Sequence, residues 1–323
     1  MGQVGKSRSQ IAYLNECKGY LFEYALSAHL SKVIDQYEKF ISKIPPNLEQ
    51  MILKYQTDLY QIAPDFIEKI QRAVDQSSKM MAPYLRGIDE VSLIGKVSNS
   101  DESDILFLKN DQIQYGLSVK LSFQKSDLHT KSAGYQSILA KYFTSFYEVN
   151  SDQSSMNEFL DYEYRNLAHK LYESVEMEIS DDLSQWKASN QATLPGDLGT
   201  EQKKILHLYY EKLSIKLYEI LLRYYEEDSE LFIKSILPLA GMSSSHIIYL
   251  SAQITEKEDI IELKEQSDYL SANRVEFIQQ KSYVDMNLFM DDKKIVRIKL
   301  RIKPMNEFIQ IGVKVNASIS FSS

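Results

Sequence analysis

The sequence predicts a mixed α/β (α+β) fold for this chain of 323 residues. Stretches with apolar residues three and four positions apart, the spacing of amphipathic helices, fill residues 11–81 and 154–240. Short runs rich in β-branched and aromatic residues, bounded by turn residues, fill 88–123 and much of 275–323. Helical and β-rich sections therefore alternate, and the length suits one large domain or two smaller ones.

The N-terminal section is predicted to contain two long helices and then three strands. The first helix runs from Ile11 to Ile44 and ends at "PP", and the second runs from about Leu48 to Met81 with a break at Pro64. The strands are expected in "IDEVSLIGKVS", "SDILFLKN" and "IQYGLSVKLSF". Because "NSDE" and "KNDQ" between them are typical turn sequences, the order predicts an antiparallel meander.

After the three strands we expect one helix, then a group of helices, then a single strand and finally a set of antiparallel strands. Residues 132–147 return to helical spacing, and 154–240 are helical around a polar loop at 189–200. "HIIYLSA", from His246, predicts a buried strand, and the segment from Val275 to the end predicts antiparallel strands. We divide the chain on this basis into three segments, 1–150, 151–242 and 243–323.

Composition and charge narrow the classes of protein. With 44% hydrophobic and 25% charged residues the chain has the average of a globular protein. No apolar run reaches the roughly 18 residues of a membrane span, and "MGQVGKSRSQ" lacks the apolar core of a secretory signal. The single cysteine, Cys17, excludes an internal disulfide framework and a cysteine zinc cluster. We therefore expect a soluble, cytoplasmic protein without a membrane partner.

The net charge of −8 argues against a protein that coats nucleic acid generally, because nonspecific phosphate affinity comes from accumulated Lys and Arg. It leaves open an enzyme with a local basic cleft.

Two charged residues interrupt neighbouring apolar runs. Asp104 directly precedes "ILFL", and Lys120 stands between Val119 and Leu121. An uncompensated buried charge costs several kcal/mol, so each position needs a reason. If "KNDQ" is a hairpin turn, both side chains lie at the same end of the sheet. A carboxylate there can bind Mg²⁺, and an ammonium can contact a phosphate oxygen or orient a water.

These residues resemble the motif of the PD-(D/E)XK, or restriction-endonuclease-like, nucleases. In that family an Asp opens one strand and an acidic-x-Lys triplet lies on the next. Ser103-Asp104 matches the first part, and Ser118-Val119-Lys120 matches the triplet, with Ser118 where an acid is usual. The match covers about residues 11–147, with 246–252 as the candidate final strand, and the motif is short and degenerate.

The resemblance implies a core of helix, three-stranded meander, helix and strand, here with a large helical insertion and a C-terminal antiparallel β region. It implies a Mg²⁺-dependent endonuclease, with Mn²⁺ as a possible substitute, that cleaves double-stranded DNA. A chain of this size without ATPase motifs is most similar to a type II restriction endonuclease. Such enzymes often act as homodimers, because two-fold protein symmetry matches palindromic DNA.

The resemblance also implies roles for individual residues. Asp104 and Glu23 would bind the metal, because Glu23 resembles an acidic residue on the first helix of the family. Asp89 and Glu90 are weaker alternatives to Glu23. Lys120 would orient the attacking water and stabilise the transition state, and Ser118 would line the site.

Basic and amide side chains supply candidate DNA contacts. The segment after the triplet contains Lys125, Lys131 and Gln136. In "KKIVRIKLRIK" a period of two places four cations on one strand face, and like charges in a row repel unless something anionic lies across them. The expected contacts on this strand and the next are Arg297, Lys299, Arg301, Lys303 and Lys314.

Plainer interpretations remain open. An Asp at a strand start and a Lys on an edge strand are common as solvated residues, and a basic strand can be the wet face of an antiparallel sheet. The alternative function is a non-enzymatic helical scaffold with a β domain that binds nucleic acid or protein, which accounts for Ser118.

Overall fold

The computed structural model describes residues 8–94, 103–123, 128–242, 246–265, 271–280 and 282–321. Its helices are α1 (Arg8–Val33), α2 (Tyr37–Ser42), α3 (Pro46–Ile62), α4 (Asp65–Met81), α5 (Ile138–Tyr142), α6 (Val149–Glu173), α7 (Ser184–Asn190), α8 (Thr200–Glu227) and α9 (Ser229–Leu239). Its strands are β1 (Glu90–Leu93), β2 (Ile105–Lys109), β3 (Gln112–Ser122), β4 (Leu128–Gly134), β5 (Ile247–Ile254), β6 (Asp259–Glu265), β7 (Arg274–Gln280), β8 (Tyr283–Met290), β9 (Lys293–Pro304) and β10 (Val313–Phe321). The predicted mixture of helix and strand is confirmed.

The chain forms two compact units. Unit 1 comprises Met1–Ser126 and Ser244–Asp268, and unit 2 comprises Asp127–Ser243 and Tyr269–Ser323. The third predicted segment is shared between the two units, because its part that contains β5 and β6 folds with the N-terminal part. Among the described helices, none combines the length and the apolar character needed to cross a lipid bilayer.

The single helix predicted from 11 to 44 is in fact two, α1 and α2, and the break has a local cause. Asp35 adopts a left-handed backbone conformation with φ of 56°. Beside it, the Gln36 backbone N–H donates to the Ser31 carbonyl at 2.8 Å. This bonding pattern closes the C-terminus of a helix, so the chain turns before α2 begins.

Helices α1, α3 and α4 share one apolar core with the sheet of unit 1. Pro64 immediately precedes α4, which confirms the predicted restart at this proline. The core joins helix residues to alternate residues of the strands, among them Phe22, Leu26, Leu59, Val74, Phe107, Leu117, Val119 and Leu250. Residues between these on β3 therefore point away from the helices.

The sheet of unit 1 has the strand order β1-β2-β3-β5-β6 within the described residues. Strands β1, β2 and β3 pair antiparallel, which confirms the predicted meander. Asn110 and Asp111 both have positive φ, at 51° and 60°, and form the two-residue turn predicted at "KNDQ". Strand β5 pairs parallel with β3, and β6 pairs antiparallel with β5.

Unit 2 corrects one prediction directly. The helix expected over 132–147 is the end of β4 followed by the short helix α5. Ser132 and Gly134 pair with Asn316 and Lys314 of β10, so strand pairing overrides the local helical spacing. The helices predicted between 154 and 240 are confirmed as α6 to α9.

The sheet of unit 2 is antiparallel, with the order β4-β10-β9-β8-β7 among the described strands. This confirms the antiparallel strands predicted from Val275 onward. Helix α8 packs against β7, β8 and β9. The residues of the covered face are buried and apolar, among them Met286, Val296, Ile298, Leu300, Ile302, Val315 and Ile319. The opposite face carries the polar residues of the same strands.

Candidate functional site

The carboxylate of Asp104 and the amine of Lys120 converge in unit 1. Lys120 Nζ lies 3.4 Å from Asp104 Oδ2. The same oxygen accepts the backbone N–H of Val119 at 2.7 Å and the hydroxyl of Ser118 at 3.3 Å. Three donors from β3 therefore fix the orientation of a carboxylate that stands directly before β2.

The pair lies on the sheet face opposite the helices. Leu117 and Val119 belong to the apolar core, so Ser118 and Lys120 project from the other face of β3. Ser118 is buried, whereas the side chains of Asp104 and Lys120 are 24% and 35% exposed. A burial of this degree strengthens electrostatic interactions and still leaves both charged groups accessible to a ligand.

Strand β5 extends this face with residues that the sequence did not single out. The parallel register places Tyr249 beside Ser118 and Ser251 beside Lys120. The signal was present in "IIYLSA", where polar groups alternate with apolar residues, but the parallel pairing could not be seen in the sequence. Beyond Ser251, the register places Glu262 of β6 on the same face. Glu262 lies two strands from Lys120, so their Cα atoms are about 10 Å apart.

The other acidic candidates are placed differently. Glu23 lies on α1, a helix that packs against the apolar face, and the described contacts of Asp104 come from β3 rather than from Glu23. Asp89 accepts the backbone N–H of Asn110 at 2.7 Å and so caps the hairpin.

Glu90 has a structural role that accounts for its burial. Its carboxylate forms ion pairs with Lys39 at 2.8 Å and with Lys43 at 2.5 Å. These contacts connect α2 and the residue after it to the first strand, and they leave Glu90 poorly placed to bind a metal.

Asp104 offers one carboxylate to a divalent cation at this face of the sheet. Across the parts of the chain that the structure describes, no three His, Cys, Asp or Glu side chains group closely enough to hold an ion. Mg²⁺ usually keeps several waters and takes one or two carboxylates together with phosphate oxygens of the substrate. Asp104 supplies one such carboxylate, and the shared ion between Asp104 and Glu23 stays a prediction.

The predicted basic strand is β9, in unit 2, and its alternation is as expected. Val296, Ile298, Leu300 and Ile302 are buried, so the four cations lie on the opposite face. The sequence did not single out Asp285, an acid that lies on the same face of the sheet. Arg297 forms an ion pair of 2.5 Å with Asp285 of β8, whose side chain is 2% exposed. The alternation in "YVDMNLFM" was the available signal, because Asp285 and Asn287 alternate with apolar residues.

The DNA contacts predicted after the triplet are scattered. Lys125 lies outside the described residues. Lys131 lies on β4, and Gln136 is exposed in the turn before α5 rather than on a helix as expected. Both belong to unit 2, whereas Asp104 and Lys120 belong to unit 1.

Comparison with known proteins assigns no family to the chain. No model of a protein family matches the sequence, and no curated protein matches it. The functional conclusion therefore depends on the residues of the site.

Proposed function

We propose that the protein is a Mg²⁺-dependent endonuclease that hydrolyses phosphodiester bonds of double-stranded DNA, of the type II restriction kind. The observation that supports this proposal most strongly is the convergence of Asp104 and Lys120 at adjacent strands, with Lys120 Nζ 3.4 Å from Asp104 Oδ2. The order of a helix, an antiparallel meander and a strand parallel to β3 is consistent with a restriction-endonuclease-like core. The first part of unit 2, Asp127–Ser243, stands in the chain where this core would have a single helix before its last strand.

Each residue of the group has a role in this proposal. Asp104 would hold Mg²⁺, which would lower the pKa of a coordinated water and stabilise charge on the phosphoryl oxygens. Lys120 binds a phosphate oxygen and orients the attacking water. Val119 N–H and the Ser118 hydroxyl hold the Asp104 carboxylate in place. Ser118, which stands where the family usually has an acid, thus helps to orient the ligand Asp104.

The site as proposed is short of carboxylates, and Glu23 and Glu262 are the two candidates for a second. Glu23 follows from the family resemblance, and Glu262 from the register of β6 on the same sheet face. Replacing each residue with Gln shows which one is the ligand. Loss of a metal-binding acid raises the Mg²⁺ concentration needed for half-maximal cleavage, whereas loss of a solvated Glu leaves that concentration unchanged.

DNA binding belongs to the basic face of β9 in this proposal, and the protein acts as a homodimer on a two-fold symmetric site. The first experiment is incubation with phage or plasmid DNA and Mg²⁺, with EDTA as the control. Discrete fragments support a sequence-specific enzyme, and a smear supports a nonspecific nuclease. Intact DNA after prolonged incubation with Mg²⁺ and with Mn²⁺ contradicts the proposal.

The second candidate is a non-enzymatic scaffold that binds nucleic acid or protein, favoured by the lack of a three-ligand group among the described residues. A thermal-shift titration with Mg²⁺ distinguishes the two. A metal site stabilises the folded state by mass action, and Asp104→Ala removes that response. A scaffold shows no metal-dependent shift in either protein.

A further inference from the structure

The four cations of β9 fall into two groups with different surroundings. The first group is Arg297 and Lys299. Arg297 pairs with the buried carboxylate of Asp285. Lys299 lies directly across from Asp285 in the strand register, and its ammonium stands 5.2 Å from the centre of the Tyr283 ring. Arg297 is therefore paired with an acid within the sheet, and Lys299 lies beside that acid and the Tyr283 ring.

The second group is Arg301, Lys303 and, on the next strand, Lys314. Arg301 and Lys303 point to the same face at a separation of about 7 Å, and Lys314 is the direct antiparallel partner of Lys303 at about 5 Å between Cα atoms. Arg301 is exposed, and the two lysines are half-buried. Three cations thus share one accessible patch, which we call the cationic cluster.

Among the described residues, the strand partners of the cationic cluster supply no acid to balance it. In the described strands the register partners of Arg301 are Tyr283 and Asn316, and Lys314 also faces Gly134. The acid in the connection between β9 and β10 is Glu307, and its carboxylate pairs with Lys187 at 3.0 Å.

The surroundings of Lys303 disfavour its charged form. Burial, together with the positive charges of Arg301 and Lys314, lowers the pKa of the Lys303 ammonium. Arg301 and Lys314 therefore make the charged form of Lys303 less favourable in the free protein. An anion placed across them removes this repulsion, as a phosphate does.

We propose that Arg301, Lys303 and Lys314 form a phosphate-binding site for the backbone of double-stranded DNA, whereas Arg297 and Lys299 serve the stability of the sheet. The choice of DNA rests on the proposed function. The division of the β9 cations into two groups does not rest on the proposed function, because it follows from the strand register and from the ion pair with Asp285. An open face with an exposed arginine suits a polymer backbone, which runs along a surface, and the cluster positions that backbone without reading its sequence.

The test is a fluorescence-anisotropy titration of the full-length protein with a labelled DNA duplex, in EDTA to prevent cleavage, over a series of NaCl concentrations. The variants are Arg301→Gln, Lys303→Gln, Lys314→Gln and their combination. Lys293→Gln is the matched control, because it removes the same charge from the exposed start of the same strand. Thermal unfolding of each variant verifies that it folds.

Each single variant in the cationic cluster is expected to weaken DNA binding about threefold to tenfold and to make the salt dependence of the binding constant about one unit shallower. For the combined variant, the salt dependence of the binding constant is expected to become about three units shallower. Its melting temperature is expected to equal or exceed that of the wild type. Lys293→Gln is expected to bind as the wild type does. A combined variant with the affinity and salt dependence of Lys293→Gln overturns the proposal.

Two further outcomes separate this inference from the proposed function. A protein that binds DNA through the cationic cluster and never cleaves it supports the cluster and contradicts the nuclease. Cleavage and DNA binding that are unchanged in the combined variant contradict the cluster and leave the nuclease intact. Dependence on the cluster with duplex RNA but not with DNA overturns the assignment to DNA.

Discussion

At the scale of single residues, the best-defined feature is the carboxylate of Asp104. Its Oδ2 atom accepts one short backbone N–H bond and faces one ammonium and one hydroxyl, all from β3. The sequence predicted the meeting of Asp104 and Lys120 because a charge in an apolar strand needs compensation and the hairpin turn was recognisable. It could not predict the N–H of Val119, since every residue of a strand offers the same backbone donor.

The first prediction concerns Ser118. Its hydroxyl lies 3.3 Å from Asp104 Oδ2, farther than the Val119 N–H at 2.7 Å. A hydrogen bond to a charged group contributes about 1.5–3 kcal/mol, and at 3.3 Å this one lies at the weak end of that range, so Ser118→Ala is expected to lower the single-turnover cleavage rate by about tenfold. Rates measured at saturating DNA decide this. A loss as large as that of Asp104→Asn would show that the hydroxyl takes part in the chemistry.

The second prediction concerns Glu90 and pH. Burial alone would raise the pKa of the Glu90 carboxyl, but hydrogen bonds from Lys39 and Lys43 outweigh it and hold that pKa below its usual value of 4.5. A lowered pKa in the folded state means that the carboxylate stabilises the fold above pH 4.5 and that this stabilisation is lost as the pH falls further.

The measurement is the melting temperature of the wild type and of Glu90→Gln between pH 6 and pH 3.5. The wild type is expected to be the more stable at pH 6, and the difference is expected to shrink below about pH 4.5. A difference that stays constant over this range would show that the Glu90 charge contributes nothing to stability.

At the scale of elements, local signals were sufficient where local chemistry decides the structure. The two-residue hairpin between β2 and β3 and the restart of the helix at Pro64 follow from turn and proline chemistry. The helix predicted over 132–147 was wrong because the first residues of this segment pair with β10, about 180 residues away in the chain. Asp285 was missed for a different reason: its partner Arg297 is only 12 residues away, but the sequence does not give the register of β8 against β9.

The third prediction concerns the ion pair between β8 and β9. Arg297→Met removes the cation that pairs with the buried Asp285 carboxylate. Breaking a buried pair costs up to about 3–5 kcal/mol, and less where a second cation such as Lys299 stands across from the acid. Arg301→Met is the matched control, and we expect it to change the free energy of unfolding by less than about 0.5 kcal/mol because Arg301 is exposed. Urea denaturation measures both. Equal effects of the two substitutions would contradict the division of β9.

At the scale of the whole molecule, the sequence predicted a mixed fold with helices before a meander and antiparallel strands at the end. From the family resemblance it also placed a final core strand at 246–252, after a helical insertion, and the chain does return to unit 1 there at β5. It did not predict that this strand pairs parallel with β3. A parallel strand pair of this kind is formed between residues far apart in the chain, and no local pattern encodes it. The net charge of −8 was equally uninformative, because the cations that matter are grouped on one sheet face.

The fourth prediction follows from this discontinuity. A fragment ending at residue 126 lacks β5, whose Ile248, Leu250 and Ala252 belong to the core of unit 1. We expect fragment 1–126 to unfold without a cooperative transition, as followed by circular dichroism in urea. Joining residues 244–268 to it through a short flexible linker is expected to restore cooperativity. A cooperative transition of the shorter fragment would show that β5 is dispensable for unit 1.

The central claim is that Asp104 and Lys120 form a hydrolytic centre. The most direct test is the Mg²⁺-dependent cleavage rate of the wild type, Asp104→Asn and Lys120→Met on a cleavable DNA at concentrations that saturate binding. We expect cleavage by the wild type and a loss of at least about a thousandfold in both variants, with DNA affinity retained. Cleavage by either variant at the wild-type rate, or a wild type that binds DNA and leaves it intact in Mg²⁺ and in Mn²⁺, would contradict the claim.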